Sequence, residues 1–550
     1  MKGQGRFVAV DLGASNGRVV SGTVKSGLLH LSEHARFPNG GVAVRGRLYW
    51  DVLALWQGML TGIRAASREG PVDSVGIDSW GADYGLVDES GELLGLPVHY
   101  RDPGHVVGLR QLVSLIDPAD LYRRNGTALL PFVTAAQLLG EAAGRLQAAH
   151  RLLLLPDLFG YWLTGVVGAE ATDASTTGLL KADGTAWDVD LIDRLGIPGG
   201  LFAPLRRPGD QGGLVDPRLQ DELGLGHRAI LRVVASHDTA SAVVAVPVED
   251  TAFAFLSAGT WSLVGVEVER PVLDERARKA GFTNEQGMDG TVRFLRNVMG
   301  LWLLQESLRT WELQGLSVTL ASLLEAAANL PAAHWLFEPD SGSLMESGDM
   351  PARIQAACRS CDQPVPTSPA EVVRSVVDSL ALAHRRAIRQ AAELSDRKVE
   401  VVYLVGGGAR NRLLCQATAD ASGLPLVSGP IEATAIGNLL VQARGQGLLG
   451  ADLGSLRACV RRSFAFERYE PRDIACWDRA DKSVESPRDQ VHESARSKPK
   501  TRRMPGRPFI GRDDEEEQRG ASQKPRATLR RKEEGLPSRD HSVVEDGELS

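Results

Sequence analysis

Cysteine is scarce in this chain of 550 residues: five in all, with Cys358-Arg359-Ser360-Cys361 the closest pair. An odd count without framework spacing excludes a disulfide scaffold and suits a reducing cytoplasm. A structural zinc site needs a second ligand pair, and Cys415, Cys459 and Cys476 do not supply one. No run approaches the ~20 apolar residues of a membrane span, and no signal-peptide core follows Met1 to Arg6. A soluble cytoplasmic protein with no membrane partner is expected. Positive charge is not in excess either. The formal net charge of -7 excludes a generic nucleic-acid binder.

The rest of the composition, 43% hydrophobic and 24% charged, is that of an ordinary globular protein. The length exceeds one core, so at least two domains are expected. Residues 7–10 read as a buried strand ending at Asp11, and residues 19–24 as a second strand. The glycine-bearing turn between them therefore closes a hairpin. That rules out a Walker loop or a Rossmann turn at this point, since both open a helix. Asp51 caps an amphipathic helix over 52–69, with Leu53, Trp56, Leu60 and Ile63 as its apolar stripe and Gly70 as its stop. Residues 72–78 form the next strand, and this alternation predicts a doubly wound α/β domain.

The second half repeats the scheme, with strands over 251–256 and 263–266 around the turn Ser257 to Ser262. Ser368-Pro369-Ala370-Glu371 is a capping box with proline at the first helical position, and predicts a helix to about Leu394. A strand over 399–405 then runs into Gly406-Gly407-Gly408. From about Ser486 charged residues, serine and proline dominate, the composition of a disordered tail.

Three turns and one carboxylate carry the chemistry. Small residues in Asp11 to Arg18 let backbone N–H groups approach a phosphate, and Asp11 stands where it would bind Mg²⁺. Thr260 in the second turn offers a hydroxyl to a phosphate, and the triple glycine leaves room for a purine or ribose. Each turn alone is equally a plain structural turn. Asp238, in Ser236-His237-Asp238-Thr239-Ala240-Ser241-Ala242-Val243, follows a strand over 230–235, where open α/β sheets gather functional groups. It is either a helix cap or a general base for a sugar hydroxyl.

Together these pieces resemble the FGGY carbohydrate kinases of the actin/hexokinase/Hsp70-like ATPase superfamily. The resemblance rests on Val8-Ala9-Val10-Asp11-Leu12-Gly13-Ala14-Ser15, Gly76-Ile77-Asp78-Ser79-Trp80-Gly81, Tyr100-Arg101-Asp102, the Ser236–Val243 segment, Leu256-Ser257-Ala258-Gly259-Thr260-Trp261, Asn297-Val298-Met299-Gly300-Leu301-Trp302 and Val405-Gly406-Gly407-Gly408, in family order over about residues 6–470. It is most similar to members that phosphorylate L-rhamnulose at the 1-hydroxyl, with L-fuculose, xylulose or a non-catalytic sugar-binding role as alternatives.

The resemblance implies an α/β fold of two actin-like, ribonuclease H-like ATPase domains around a central cleft. These are residues 1–246, binding sugar and phosphate, and 247–478, binding nucleotide, with a disordered charged tail over 479–550. It implies ATP and Mg²⁺, a small-molecule ketose as the other partner, and a monomer or homodimer. Carried over residue by residue, Ala14, Ser15, Asn16, Gly17, Arg18, Thr260, Gln305 and Gly407 contact ATP. Gly81, His237, Asp238, Thr239 and Asn297 contact the ketose, Asp238 is the proton acceptor, and Asp11 holds the metal. The chain departs from the pattern at Asn16, where serine is common, and at Val133 and Asp173, where asparagine is expected. The last two bear on sugar preference.

Overall fold

Residues 7–10 are apolar at every position, which a strand tolerates only when both of its faces are covered. Phe7 and Ala9 point into one core cluster, Val8 and Val10 into another. The strand is β1 (Gln4–Leu12), paired antiparallel with β2 (Asn16–Lys25) in the expected hairpin. This computed structural model describes residues 4–226 and 228–483. β3 (Leu28–Pro38) extends the hairpin, and β4 (Ser74–Ser79) lies parallel to β1 on its other side. With β5 (Gln211–Leu214) and β6 (Ile230–Arg232), the first sheet runs β5-β6-β4-β1-β2-β3.

The second sheet is built on the same plan. It comprises β7 (Phe253–Ala258), β8 (Trp261–Val268), β9 (Phe282–Gln286), β10 (Val292–Met299), β11 (Val401–Val405), β12 (Leu426–Ser428) and β13 (Glu467–Tyr469). Their order is β9-β10-β8-β7-β11-β12-β13, again with a hairpin at the centre, two parallel strands beyond its first member and an antiparallel strand at that edge. The duplication sets both hairpin turns at equivalent strand ends.

The helices cover the sheet faces. α1 (Val52–Ser67) begins as expected, with Asp51 Oδ1 accepting the Ala54 N–H at 3.0 Å. Its buried face differs from the expected stripe: Val52, Leu55, Met59, Leu60 and Ile63 point inward, while Leu53 is 58% exposed. Leu53 is one position, about 100° of helical turn, past Val52, so it misses the core arc. α2 (Asp238–Val244) follows β6, and α3 (Trp302–Leu313) follows β10. α4 (Pro369–Ser395) carries the full capping box, with Glu371 N–H donating to Ser368 Oγ and Ser368 N–H to Glu371 Oε2. α5 (Ala433–Gly445) crosses back to the first sheet, where Gln442 Nε2 donates to the Val8 carbonyl at 3.0 Å. It also crosses α2 so closely that a Cβ on Gly437 would lie 1.8 Å from the Ser241 carbonyl oxygen.

A final helix spans Ile474–Ser483, so residues 479–483, assigned to the tail from sequence, continue an element that buries Trp477. The rest of the expected tail lies outside the described residues. Among those described, no helix is long and apolar enough to cross a membrane.

Candidate active site

The strand expected over 230–235 pairs only to Arg232, and residues 233–237 continue as an extended segment. That segment is pinned to the end of β4, where the Ser79 N–H donates to the Ser236 carbonyl at 2.9 Å. It is held from the other side by Glu170, which is 1% exposed. Glu170 Oε2 accepts the Ser236 N–H at 3.0 Å and the Thr172 hydroxyl at 2.6 Å, and Thr172 Oγ1 in turn accepts the His237 N–H at 3.2 Å. His237 takes the N-cap position of α2, so Asp238 is the first helical residue and not the cap. Asp238 Oδ1 accepts the Thr239 N–H at 2.5 Å and the Thr239 hydroxyl at 3.1 Å, and 30% of the side chain faces the cleft. Burial raises its carboxyl above the ordinary value; His237 opposes this and Asp11 adds to it.

The cleft forms one cavity of about 420 Å³. Ala14, Ser15, Asn16 and Arg18 from the first turn line it, together with Thr260, Gln305 and Gly407. So do Gly81, His237, Asp238, Thr239 and Asn297, and Asp11 at the end of β1. The two hairpin turns meet there, with Thr260 Oγ1 and Ser15 Oγ 3.5 Å apart. Gly17 is not on the wall. Its missing side chain makes room for Phe37, whose ring would be 2.2 Å from a Cβ.

The triple glycine divides its tasks. Gly406 adopts a φ of 83°, Gly408 packs where a Cβ would be 2.4 Å from that of Ala258, and Gly407 alone faces open space. Arg18 is engaged already, by Asp11 Oδ2 at 2.8 Å and by Glu432 from across the cleft.

Two sequence comparisons bear on this site. The FGGY family of carbohydrate kinases, N-terminal domain, matches residues 7–245, and the C-terminal domain of the same family matches residues 254–445. The chain belongs to the FGGY family of carbohydrate kinases. Among its curated FGGY relatives, a rhamnulokinase of Bacteroides thetaiotaomicron is 38% identical over 86% of this chain and 97% of its own length. Rhamnulokinases of Pectobacterium carotovorum and Enterococcus faecalis are 39% and 38% identical, each over 85% of this chain and over 93% and 94% of their own lengths.

Solved kinase structures are matched at lower identity. A gluconate kinase from Lactobacillus acidophilus superposes with a TM-score of 0.72 at 16% identity, covering 89% of this chain and 98% of its own. A Plasmodium falciparum glycerol kinase with ADP superposes at 0.68 and 12%, covering 90% and 99%. These confirm the two-domain actin-like kinase fold.

The structure adds functional groups to this kinase that the sequence did not mark. Asp83, buried, accepts N–H bonds from Trp50, Trp80, Tyr100 and Gln137 at 2.6–3.1 Å, and so fixes the aromatic wall beside Gly81. Burial pushes its carboxyl up to about 7. Glu285 and Arg293, on β9 and β10, reach His237 from the second sheet. No motif or period singles out these residues. Of the departures from the family pattern, Val133 lines the cavity, whereas Asp173 is fully buried behind it with both carboxylate oxygens unpartnered.

Proposed function

We propose that this kinase transfers the γ-phosphoryl group of MgATP to the 1-hydroxyl of L-rhamnulose, giving L-rhamnulose 1-phosphate and ADP. The observation that carries the proposal is the position of Asp238, a carboxylate open to the same cavity as both phosphate-type turns. The rhamnulokinase names of relatives that match most of the chain support the choice of sugar. Phosphoryl transfer asks the protein mainly for positioning and charge stabilisation, plus one group to take the hydroxyl proton. Asp238 accepts that proton as the sugar oxygen attacks the γ-phosphorus and ADP departs; such help is typically worth ~10²–10⁴ in rate. Its raised proton affinity suits a group that must hold the proton it removes.

Ser15 and Thr260 meet where the phosphates would lie, and Gln305 and Gly407 border the space left for the nucleoside. The residues present fit Mg²⁺. Asp11 lines the cavity, and in the adjacent strand the fully buried Asp78 has an unpartnered Oδ1; burial, and then Asp11, raise the Asp78 carboxyl well above its ordinary value, and a cation would relieve this crowding of acids. Asp11 would hold the ion, whose chemistry is to neutralise charge between the phosphates. Arg18 must then exchange its contact with Asp11 for one with phosphate. Phe132 and Val133 give the wall apolar surface, which favours a ketose with a methyl terminus over one ending in a hydroxymethyl group. A cytoplasmic reaction is the reading we favour, supported by an odd cysteine count without framework spacing. A ketose panel with coupled ADP detection tests the assignment: L-rhamnulose should lead, and equal or better turnover of L-fuculose or xylulose would overturn it.

A further inference from the structure

The imidazole beside the base is held by a charged pair from the opposite sheet. Glu285 and Arg293 face each other directly in the antiparallel β9–β10 ladder. Arg293 is completely buried; its Nη1 is 2.9 Å from Glu285 Oε2 and its Nε donates to the Gln286 carbonyl at 3.1 Å. Its Nη2 is 3.1 Å from His237 Nδ1. On the far side of the ring, His237 Nε2 lies 3.5 Å from Asp238 Oδ1. A guanidinium has donors only, so the nitrogen it addresses must present a lone pair. A neutral His237 then carries its proton on Nε2, toward Asp238 and the cavity. Glu285 Oε2 is 3.2 Å from the same Nδ1 and would ask for the opposite tautomer. It serves instead as the counter-ion without which a buried Arg293 is not tolerated. Burial works to raise the Glu285 carboxyl, yet the charge of Arg293 is the largest influence opposing it, and the carboxyl stays below its ordinary value.

We propose that Arg293, supported by Glu285, is a positioning residue that fixes the Nε2–H tautomer of His237, so that a group on the second sheet sets how the first presents its hydrogen bond to the ketose. The proposal rests on the ketose-kinase reading, under which His237 faces the sugar. Because β9 and β10 are rigid ladder strands, the tautomer is fixed only while the two halves keep this arrangement. Arg293 is not on the cavity wall, whereas His237 is, so its effect passes through one imidazole nitrogen.

The test is a double-mutant cycle between Arg293→Lys and His237→Ala, read as L-rhamnulose affinity by calorimetry so that no variant needs turnover. Lysine keeps a charge for Glu285 but cannot fork to both partners. Arg293→Lys should weaken ketose binding about tenfold in the wild-type background and less than twofold in His237→Ala, with ATP affinity unchanged. Equal losses in both backgrounds would overturn the proposal, because a packing role does not need the imidazole. If Arg293→Lys does not fold, Glu285→Gln takes its place in the cycle, with the same coupling expected and the same outcome against it. Asp238→Asn separates the two ideas: full activity in that variant would sink the base assignment, while additivity in the cycle sinks only the positioning role.

Discussion

The crossing of α2 and α5 makes Gly437→Ala an unusually sharp test of how the two halves are joined. The added methyl would stand 1.8 Å from the Ser241 carbonyl oxygen, which belongs to the α2 backbone and has no rotamer by which to yield. An ordinary carbon–oxygen contact is about 3.3 Å, so the helices must part or tilt by about 1.5 Å. A gap of only 0.5–1 Å already forfeits roughly a quarter to a half of the dispersion energy of the facing atoms. Overpacking of this kind costs about 1–3 kcal/mol. The consequence reaches the chemistry, because α2 begins at Asp238. A displacement of about 1 Å at a reacting group can cost ~10² in rate. Gly437→Ala should therefore lower both the denaturant midpoint and kcat. Gly144→Ala, in the short exposed helix Ala143–Ala148 where a Cβ meets nothing within 4 Å, should gain about 0.5 kcal/mol and leave kcat alone. A Gly437→Ala enzyme with wild-type midpoint and wild-type kcat would refute the crossing as described.

Asp238→Asn should abolish phosphoryl transfer while ATP still binds, measured by turnover and by nucleotide titration. The acid limb of the kcat/KM profile should lie above the ordinary aspartate range of about 3.9. Asp238 is raised in the folded protein, so activity is lost as pH falls through that raised value. A limb at or below 3.9 would count against it. Asp173 is raised well above 3.8, chiefly by burial and then by Asp157 and Glu170. The folded state thus keeps a proton that the unfolded chain releases, so the stability this group contributes is full below 3.8 and is lost as pH rises toward the folded value. Asp173→Asn should flatten that decline in denaturation midpoint between acid and neutral pH; an unchanged slope would exclude Asp173 as its source. Removal of residues 486–550 should leave turnover unchanged, and a large loss would assign the tail a part in catalysis.

Local chemistry written in consecutive residues was legible from the start. The β1–β2 and β7–β8 hairpins, the Asp51 cap and the Ser368–Glu371 capping box each depend on residues a few positions apart. Backbone geometry decides them before any tertiary contact forms. The motifs around Asp11, Thr260, Asp238 and Gly407 were likewise readable, because a phosphate turn and a strand-end carboxylate need particular residue types in a short span. The apolar face of α1 was less legible. Which arc of a helix meets the core depends on how it docks, and Leu53 fell outside it.

What only the tertiary structure decided is the set of charges around those motifs. Glu170 under the Ser236–Asp238 segment, Glu285 and Arg293 beside His237, and Glu432 against Arg18 come from 48 to 414 residues away in the chain. They meet only because two sheets of the same plan face one another and α5 crosses back to the first. A buried charge is tolerated where a partner reaches it, and nothing in the sequence near either member names the other. The sequence by itself determined the turns, the Asp238 segment and the family. The folded chain decided which distant carboxylates and guanidinium groups hold that segment in place, since that depends on through-space distance and not on spacing along the chain.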